Sequence, residues 1–127
     1  MKTVAVCLGC LLVLTGCEST ADRVQINAQS LHSDAMDGAA LAGEIAAGRA
    51  GATFARTHAQ ELQDDTDQIE KNVYDQRLPR YDELQQLADQ IGAALGSMAV
   101  RPDDVSLAQD ARATLLRLAA DAARMTS

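Results

Sequence analysis

Histidine and carboxylate side chains at helical spacing are the first residues in this chain that could do chemistry. His58 and Glu61 stand three positions apart, and Asp65 follows one turn later. On a helix these side chains share one face, and such a trio can hold a divalent cation. Helical di-metal sites, however, use paired Glu-x-x-His motifs with further carboxylates, and this chain has no second copy. The acidic run before Lys71 is more typical of a solvated face, so we predict no metal site and no cofactor.

A second cluster has the residue types of a serine hydrolase. His32 lies between Ser30 and Ser33, and Asp34 follows. A nucleophilic serine needs a base and an orienting group at fixed distances, usually on a tight turn such as G-x-S-x-G, and no such turn occurs. With no Trp and three aromatic residues, a pocket for a nucleotide is also hard to build. We therefore predict that the protein is not an enzyme, and a small enzymatic or ligand-binding bundle ranks last among three hypotheses.

All three cysteines lie near the N-terminus, at Cys7, Cys10 and Cys17. The first two have the C-x-x-C spacing of redox and metal motifs, but they stand within the apolar run 3–14, and no histidine follows for haem attachment. We interpret them as ordinary members of that run. It follows the positive start Met1-Lys2 and spans about 12 residues, whereas a membrane-spanning helix needs about 20. Its length and flanks are those of a signal peptide.

The run ends in Leu14-Thr15-Gly16-Cys17. This stretch resembles the lipobox of bacterial lipoproteins, with Leu at −3, Gly at −1 and Cys at +1 relative to the cleavage site. The resemblance covers this segment alone and implies a diacylglyceryl thioether on Cys17, cleavage after Gly16 and often a further acyl chain on the new N-terminus. Two or more acyl chains anchor a protein stably where one does not. We therefore predict that residues 1–16 are a removed signal peptide and that the membrane is a partner through covalent lipid.

The residue after the lipidated cysteine and the overall charge bear on location and partners. Glu18 replaces the Asp usually associated with inner-membrane retention in well-studied Gram-negative bacteria, which favours an outer-membrane anchor facing the periplasm. In a Gram-positive source the site would be the outer face of the cytoplasmic membrane. The formal charge of −7 becomes about −8 without Lys2, which argues against nucleic acid as a partner. It is compatible with a basic protein partner or with solubility alone.

Beyond a predicted tether at residues 17–22, residues 23–127 read as one acidic all-α domain. No alternating Val/Ile/Thr segment indicates a strand, and Ala, Gln, Glu, Arg and Leu favour helix. We predict a small bundle of four helices: residues 23–49, residues 52–75, a third helix with Pro79 in its first turn and a fourth that starts at Pro102-Asp103-Asp104.

Apolar stripes at helical spacing predict which residues form the core. The third helix carries Leu84, Leu87, Ala88, Ile91, Ala94, Leu95 and Met98. The fourth carries Val105, Ala108, Ala111, Leu115, Leu118, Ala122 and Met125, with Leu116 off the stripe. We expect residues 62–125 to hold the better core. The first helix has few large apolar residues, so we expect it to be less stable unless it packs on the others or on a partner.

Small residues recur every four positions through the first half of the domain. The members of this stripe are Ala35, Ala39, Gly43, Ala47, Gly51, Ala55 and Ala59. Small residues at this spacing let another helix approach closely, so one interpretation is a close-packed seam against a helix of the same chain or another. The other is chance in an Ala-rich sequence. Helix-interior glycines each cost about 1 kcal/mol, which favours the seam, although Gly48 or Gly51 could instead end the first helix.

Two further functional hypotheses rank above an enzyme. The first is a non-enzymatic interaction module that escorts, stabilises or inhibits another envelope protein. Secretin pilotins are similar in size and class, although no motif connects the chain to them; a variant is an acidic inhibitor of a basic toxin. The second is a structural, self-associating helical lipoprotein resembling the murein lipoproteins. This chain lacks their C-terminal Lys, and Pro79 and Pro102 interrupt any long rod.

Overall fold

The computed structural model describes residues 19–126, which form four α-helices and no strand. The helices are α1 (Thr20–Ala46), α2 (Ala52–Gln76), α3 (Tyr81–Val100) and α4 (Val105–Arg124). The prediction of a small all-α bundle of four helices is confirmed. The predicted signal peptide at residues 1–16 and the predicted lipidation site Cys17 lie outside the described residues. None of the four helices combines the length and apolar character needed to cross a membrane.

The helices form an antiparallel ring in chain order. The closest pairs are α1 with α4 and α2 with α3, while α1 with α2 and α3 with α4 touch less extensively. His32, early in α1, lies against Ala119, late in α4, so these two helices run in opposite directions. The bundle therefore has two ends. The proximal end holds Ser19, the turn 77–80 and Met125, and the distal end holds the turns 47–51 and 101–104.

The core is built mainly from large side chains of the second half of the chain, together with both small and large side chains of α1. The largest fully buried side chains are Leu31, Thr66, Val73, Leu84, Ile91, Leu95, Met98, Leu115 and Leu118. All but Leu31 lie within residues 62–125, as the sequence predicts. The predicted stripe of α4 faces the core except at Val105, which is 45% exposed, and Ala119 is buried in addition. On α3, Ala94 is only partly buried. Helix α1 packs on this core through small side chains such as Ala28 and Ala35.

The start of α1 is fixed by a capping box. The Ser19 hydroxyl accepts a hydrogen bond from the Asp22 backbone N–H at 3.2 Å, and the Asp22 carboxylate accepts one from the Ser19 N–H at 3.2 Å. Reciprocal bonds of this kind satisfy two donors that a helix start leaves open. The helix therefore begins at Thr20, three residues before the predicted Arg23, and residues 20–22 of the predicted tether are helical. Only Glu18 lies between Cys17 and this cap.

The end of α1 is a Schellman motif that needs a glycine. The Gly48 N–H donates to Ile45 O at 3.0 Å and the Arg49 N–H donates to Glu44 O at 2.9 Å. Gly48 has φ +72°, a backbone conformation that is unfavourable for residues with a Cβ atom. The Arg49 guanidinium also pairs with both oxygens of the Glu44 carboxylate at 2.8 Å, which lowers the pKa of Glu44. The helix therefore ends at Ala46 rather than at the predicted Arg49.

The prolines precede their helices instead of forming the first turns. Arg77 and Arg80 both take left-handed backbone conformations, with φ 46° and 59°, and Pro79 lies between them. Helix α3 begins after Arg80, so the placement of Pro79 in its first turn is wrong. Pro102 is likewise outside α4, where Asp104 caps the helix by accepting from the Leu107 N–H at 2.9 Å. Asp104 has the extended backbone and the side-chain bond of an N-cap, whereas Arg80 is left-handed and makes no side-chain capping bond.

The two left-handed positions after α1 and α2 give opposite predictions. Gly48→Ala should lower the free energy of unfolding by about 1 to 2 kcal/mol, because a Cβ disfavours positive φ. Arg77→Gly should raise it by about 1 kcal/mol by relieving the same strain. Urea denaturation followed by helical circular dichroism measures both. If the two variants shifted stability in the same direction, left-handed strain would not be what distinguishes these turns.

Candidate functional site

An open groove runs between α3 and α4 from the proximal to the distal end. Three adjoining hollows make up this groove, and shared residues join them: Gln90 lines the proximal and middle hollows, while Ser97 and Leu107 line the middle and distal ones. The groove stays open because α3 and α4 each pack more closely on another helix than on one another. We call it the α3–α4 groove.

The middle of the α3–α4 groove is apolar and lined by small side chains. Its lining residues are Gln90, Ala93, Ala94, Ser97, Leu107, Asp110, Ala111 and Thr114. Alanine, serine and threonine at a helix surface let the backbone of another helix come close. A second helix could therefore lie along this section without displacing a bulky side chain.

The proximal section of the groove is charged and ordered by ion pairs. The Arg80 guanidinium donates to both oxygens of Glu83, at 3.1 and 2.8 Å, and this contact lowers the pKa of Glu83. Asp121 pairs with Arg124 and lies 3.8 Å from the Arg117 guanidinium. Three arginines thus accompany two carboxylates here. The section therefore presents charges of both signs at the groove surface.

A groove with an apolar centre and a charged proximal end suits an amphipathic helix. No protein-family model, curated protein or solved structure matches this chain. Helix-in-groove recognition combines apolar anchors at helical spacing with polar contacts at the rim, and this groove provides both.

The predicted small-residue stripe is divided between two helices and a turn. Ala35, Ala39 and Gly43 lie on α1, Ala55 and Ala59 on α2, and Ala47 and Gly51 in the intervening turn. The four alanines within the helices are buried, Gly43 is partly buried, and Ala47 and Gly51 are exposed. Ala39, Gly43 and Ala47 also line a shallow hollow between α1 and α4 beside Arg112.

The glycine packed most tightly against other helices lies outside that stripe. A Cβ on Gly38 would lie 2.7 Å from Leu95 Cδ2 and 3.0 Å from Leu115 Cδ1. Gly38 thus stands where α1, α3 and α4 meet. At Gly43, a member of the stripe, the nearest atom to such a Cβ is Arg112 Nε at 3.6 Å, which is ordinary contact. The four-residue repeat did not identify Gly38, because its neighbours come from helices far away in the sequence.

The two clusters with catalytic residue types are held in other contacts. The His58 ring stacks on Phe54 with centroids 5.6 Å apart, and its Nδ1 lies 3.7 Å from the Glu61 carboxylate. Across residues 19–126, no three His, Cys, Asp or Glu side chains converge as a metal site would require. The His32 Nδ1–H donates to Ala119 O at 2.8 Å, while the Ser30 hydroxyl donates to Ile26 O at 3.0 Å. Ser30 and His32 are therefore not paired as nucleophile and base.

The carboxyl group of Asp34 is buried between α1 and α2, a structural position that the sequence did not predict. Asp34 is 9% exposed, and its Oδ2 accepts a hydrogen bond from the buried Thr66 hydroxyl at 3.1 Å. Burial raises the pKa of Asp34 from its usual 3.8 to about 6; the bond from Thr66 opposes this shift, and the charges of Asp65 and Asp37 add to it. A sequence signal existed, because Asp34 lies between Leu31 and Ala35 on the apolar side of the helix.

Proposed function

We propose that this protein is a lipid-anchored envelope protein that binds a helix of another envelope protein and performs no catalysis of its own. The observation that carries the proposal is the α3–α4 groove, an open channel with an apolar centre along one side of the bundle. Ala94 and Leu107 pack against the core and are still partly exposed in this channel, so apolar surface remains there for a partner to cover. The bound protein would be escorted, stabilised or inhibited by this contact.

The anchor and the groove have separate roles in this proposal. Acyl chains on Cys17 hold the protein at the membrane, with the outer membrane facing the periplasm as the favoured location. The small side chains in the middle of the groove then select a partner helix by its apolar face. The charged proximal section, which holds arginines together with Glu83 and Asp121, offers ion-pairing partners to charged residues near one end of that helix.

A structural, self-associating lipoprotein remains the second candidate because of one specific surface. The hollow between α1 and α4 is lined mainly by small residues near the distal end, including Ala40, Ala46 and Ala47. A helix from a second copy of the chain could pack there closely. In that case the small-residue stripe would serve assembly of like subunits instead of recognition of a different protein.

Site-specific photo-crosslinking in the native envelope tests which surface is used. The full-length chain would carry a photoreactive residue at Ala94 or Thr114 in the groove, or at the exposed Gln60 on α2 as the control. We expect one crosslinked partner from both groove positions and about ten-fold less of it from Gln60, because only the groove buries apolar surface on docking. Crosslinking mainly to a second copy would favour the structural alternative. Equal yield from all three positions would refute a groove-specific partner.

A further inference from the structure

Both tyrosines of the chain lie at the proximal end of the bundle. The Tyr74 ring is at the end of α2 and the Tyr81 ring at the start of α3, with centroids 6.2 Å apart. Together with Arg77 and Leu78 they line a hollow at the 77–80 turn. Tyr74 is 63% exposed, so much of a large aromatic side chain faces outward beside an arginine.

The capping box sets how far this end can stand from a lipidated cysteine. Because α1 is capped at Ser19, two peptide units separate its cap from Cys17. An extended residue spans at most about 3.6 Å, so the two Cα atoms are at most about 7 Å apart. The polar headgroup layer on each side of a bilayer is itself about 5 to 7 Å thick. Acyl chains on Cys17 would therefore bring the proximal end to the headgroup layer.

The residues at this end suit that layer. Tyrosine is enriched at membrane interfaces because its ring is apolar and its hydroxyl is polar, and arginine near the surface is attracted to anionic headgroups. Asp75 and Asp82 stand at the same end, so net charge does not produce the contact. The two rings and the guanidinium of Arg77 carry it instead.

We propose that the proximal end, through Tyr74, Arg77 and Tyr81 around the buried Leu78, is a membrane-contacting surface that rests in the headgroup layer of the bilayer holding the anchor. This inference rests on the lipid anchor of the proposed function. It places the bundle upright, with the distal end up to about 40 Å from the membrane, since α1 has 27 residues at 1.5 Å each. The α3–α4 groove then runs outward from the membrane, and its middle and distal sections stand clear of the headgroup layer.

The absence of tryptophan from the chain makes a direct depth measurement practicable. Tyr74→Trp gives a single fluorescent reporter at the proximal end, and Phe54→Trp, at a residue 61% exposed near the distal end, gives the control. Both full-length variants would be expressed as lipoproteins and reconstituted into phosphatidylcholine and phosphatidylglycerol vesicles carrying spin-labelled headgroups. We expect the Tyr74→Trp emission to fall by about two-fold or more and the Phe54→Trp emission to remain unchanged.

The same samples separate the two proposals. Mass spectrometry first establishes whether Cys17 carries acyl chains, and an unlipidated exported product would overturn both the anchor and the membrane contact. A lipidated protein whose Tyr74→Trp emission matched the Phe54→Trp control would overturn the membrane contact alone. Tyr81→Trp serves as a second proximal reporter if Tyr74→Trp does not fold. Adding Arg77→Glu should weaken quenching in anionic vesicles and have less effect in purely zwitterionic ones.

Discussion

Asp34→Asn is expected to stabilise the bundle by about 2 to 3 kcal/mol at pH 7.5 and to change its stability little below pH 4. The carboxyl group is buried between α1 and α2, and its pKa is raised to about 6. At neutral pH the folded protein therefore holds a charge away from water, with one hydroxyl donor to compensate. An asparagine removes the charge, and its side-chain carbonyl still accepts from Thr66.

The sign of the pH dependence follows from the direction of this shift. A folded-state pKa above the unfolded value of 3.8 means that the native protein binds a proton more tightly than the unfolded chain. The free energy of unfolding is therefore not reduced by Asp34 below about pH 4, and it falls as the pH rises from there through about 6. Urea denaturation from pH 3.5 to 8 should show wild-type stability falling over this window relative to the Asp34→Asn variant.

A control on the neighbouring helix α2 separates burial from the loss of charge. Asp64 is exposed and is not among the charges that raise the pKa of Asp34, so Asp64→Asn removes the same charge from a solvated position. We expect a stability change of less than about 0.5 kcal/mol for this variant. Subtracting the free energy of unfolding of wild type from that of Asp34→Asn also cancels the contributions of other titrating groups. One of these is Glu70, whose pKa is raised by burial and by the nearby Asp89. A pH-independent difference between Asp34→Asn and wild type would contradict the assignment.

Periodicity predicted the buried faces but placed the helix ends less accurately. The stripes of α3 and α4 could be recognised because Leu, Ile and Met at every third or fourth position indicate one buried side whatever the fold. The ends depended on short-range backbone bonds that hydrophobicity does not report. Ser19 with Asp22 extended α1 at its start, and Gly48 shortened it at its end. Both carry sequence signals, since a Ser-x-x-Asp pair and a glycine favour caps.

The α3–α4 groove could not be predicted from the sequence. Its middle residues, such as Ala94 and Ala111, belong to the predicted core stripes, and only the way the helices pair determines whether they meet another helix. Because α1 packs on α4 and α2 on α3, the edges of those stripes are left uncovered along one side. Helical spacing specifies a face, whereas the partner of that face depends on the order of helices around the ring.

The small-residue stripe also shows that helical spacing does not specify which helix a face packs against. Four of its members, Ala35, Ala39, Ala55 and Ala59, are buried. It could not indicate that a turn interrupts the repeat, nor that the closest approach is one residue away, at Gly38. Close packing depends on which side chains arrive from other helices, and here these are Leu95 and Leu115.

Gly38→Val is expected to lower the free energy of unfolding by about 3 kcal/mol, through overpacking of a filled core. Even a Cβ at this position would lie 2.7 Å from Leu95 Cδ2 and 3.0 Å from Leu115 Cδ1. Both leucines are fully buried, so neither side chain can turn toward solvent to make room. Relief then requires α1 to move away from α3 and α4, which would open contacts along the core.

On the same helix, Gly43→Ala is expected to raise the free energy of unfolding instead of lowering it. The position is contacted only by the Arg112 side chain, at 3.6 Å, and alanine is about 1 kcal/mol more favourable than glycine in a helix interior. We expect this variant to be up to about 1 kcal/mol more stable than wild type in urea denaturation. If Gly38→Val retained wild-type stability, the three-helix junction would be looser than these distances require.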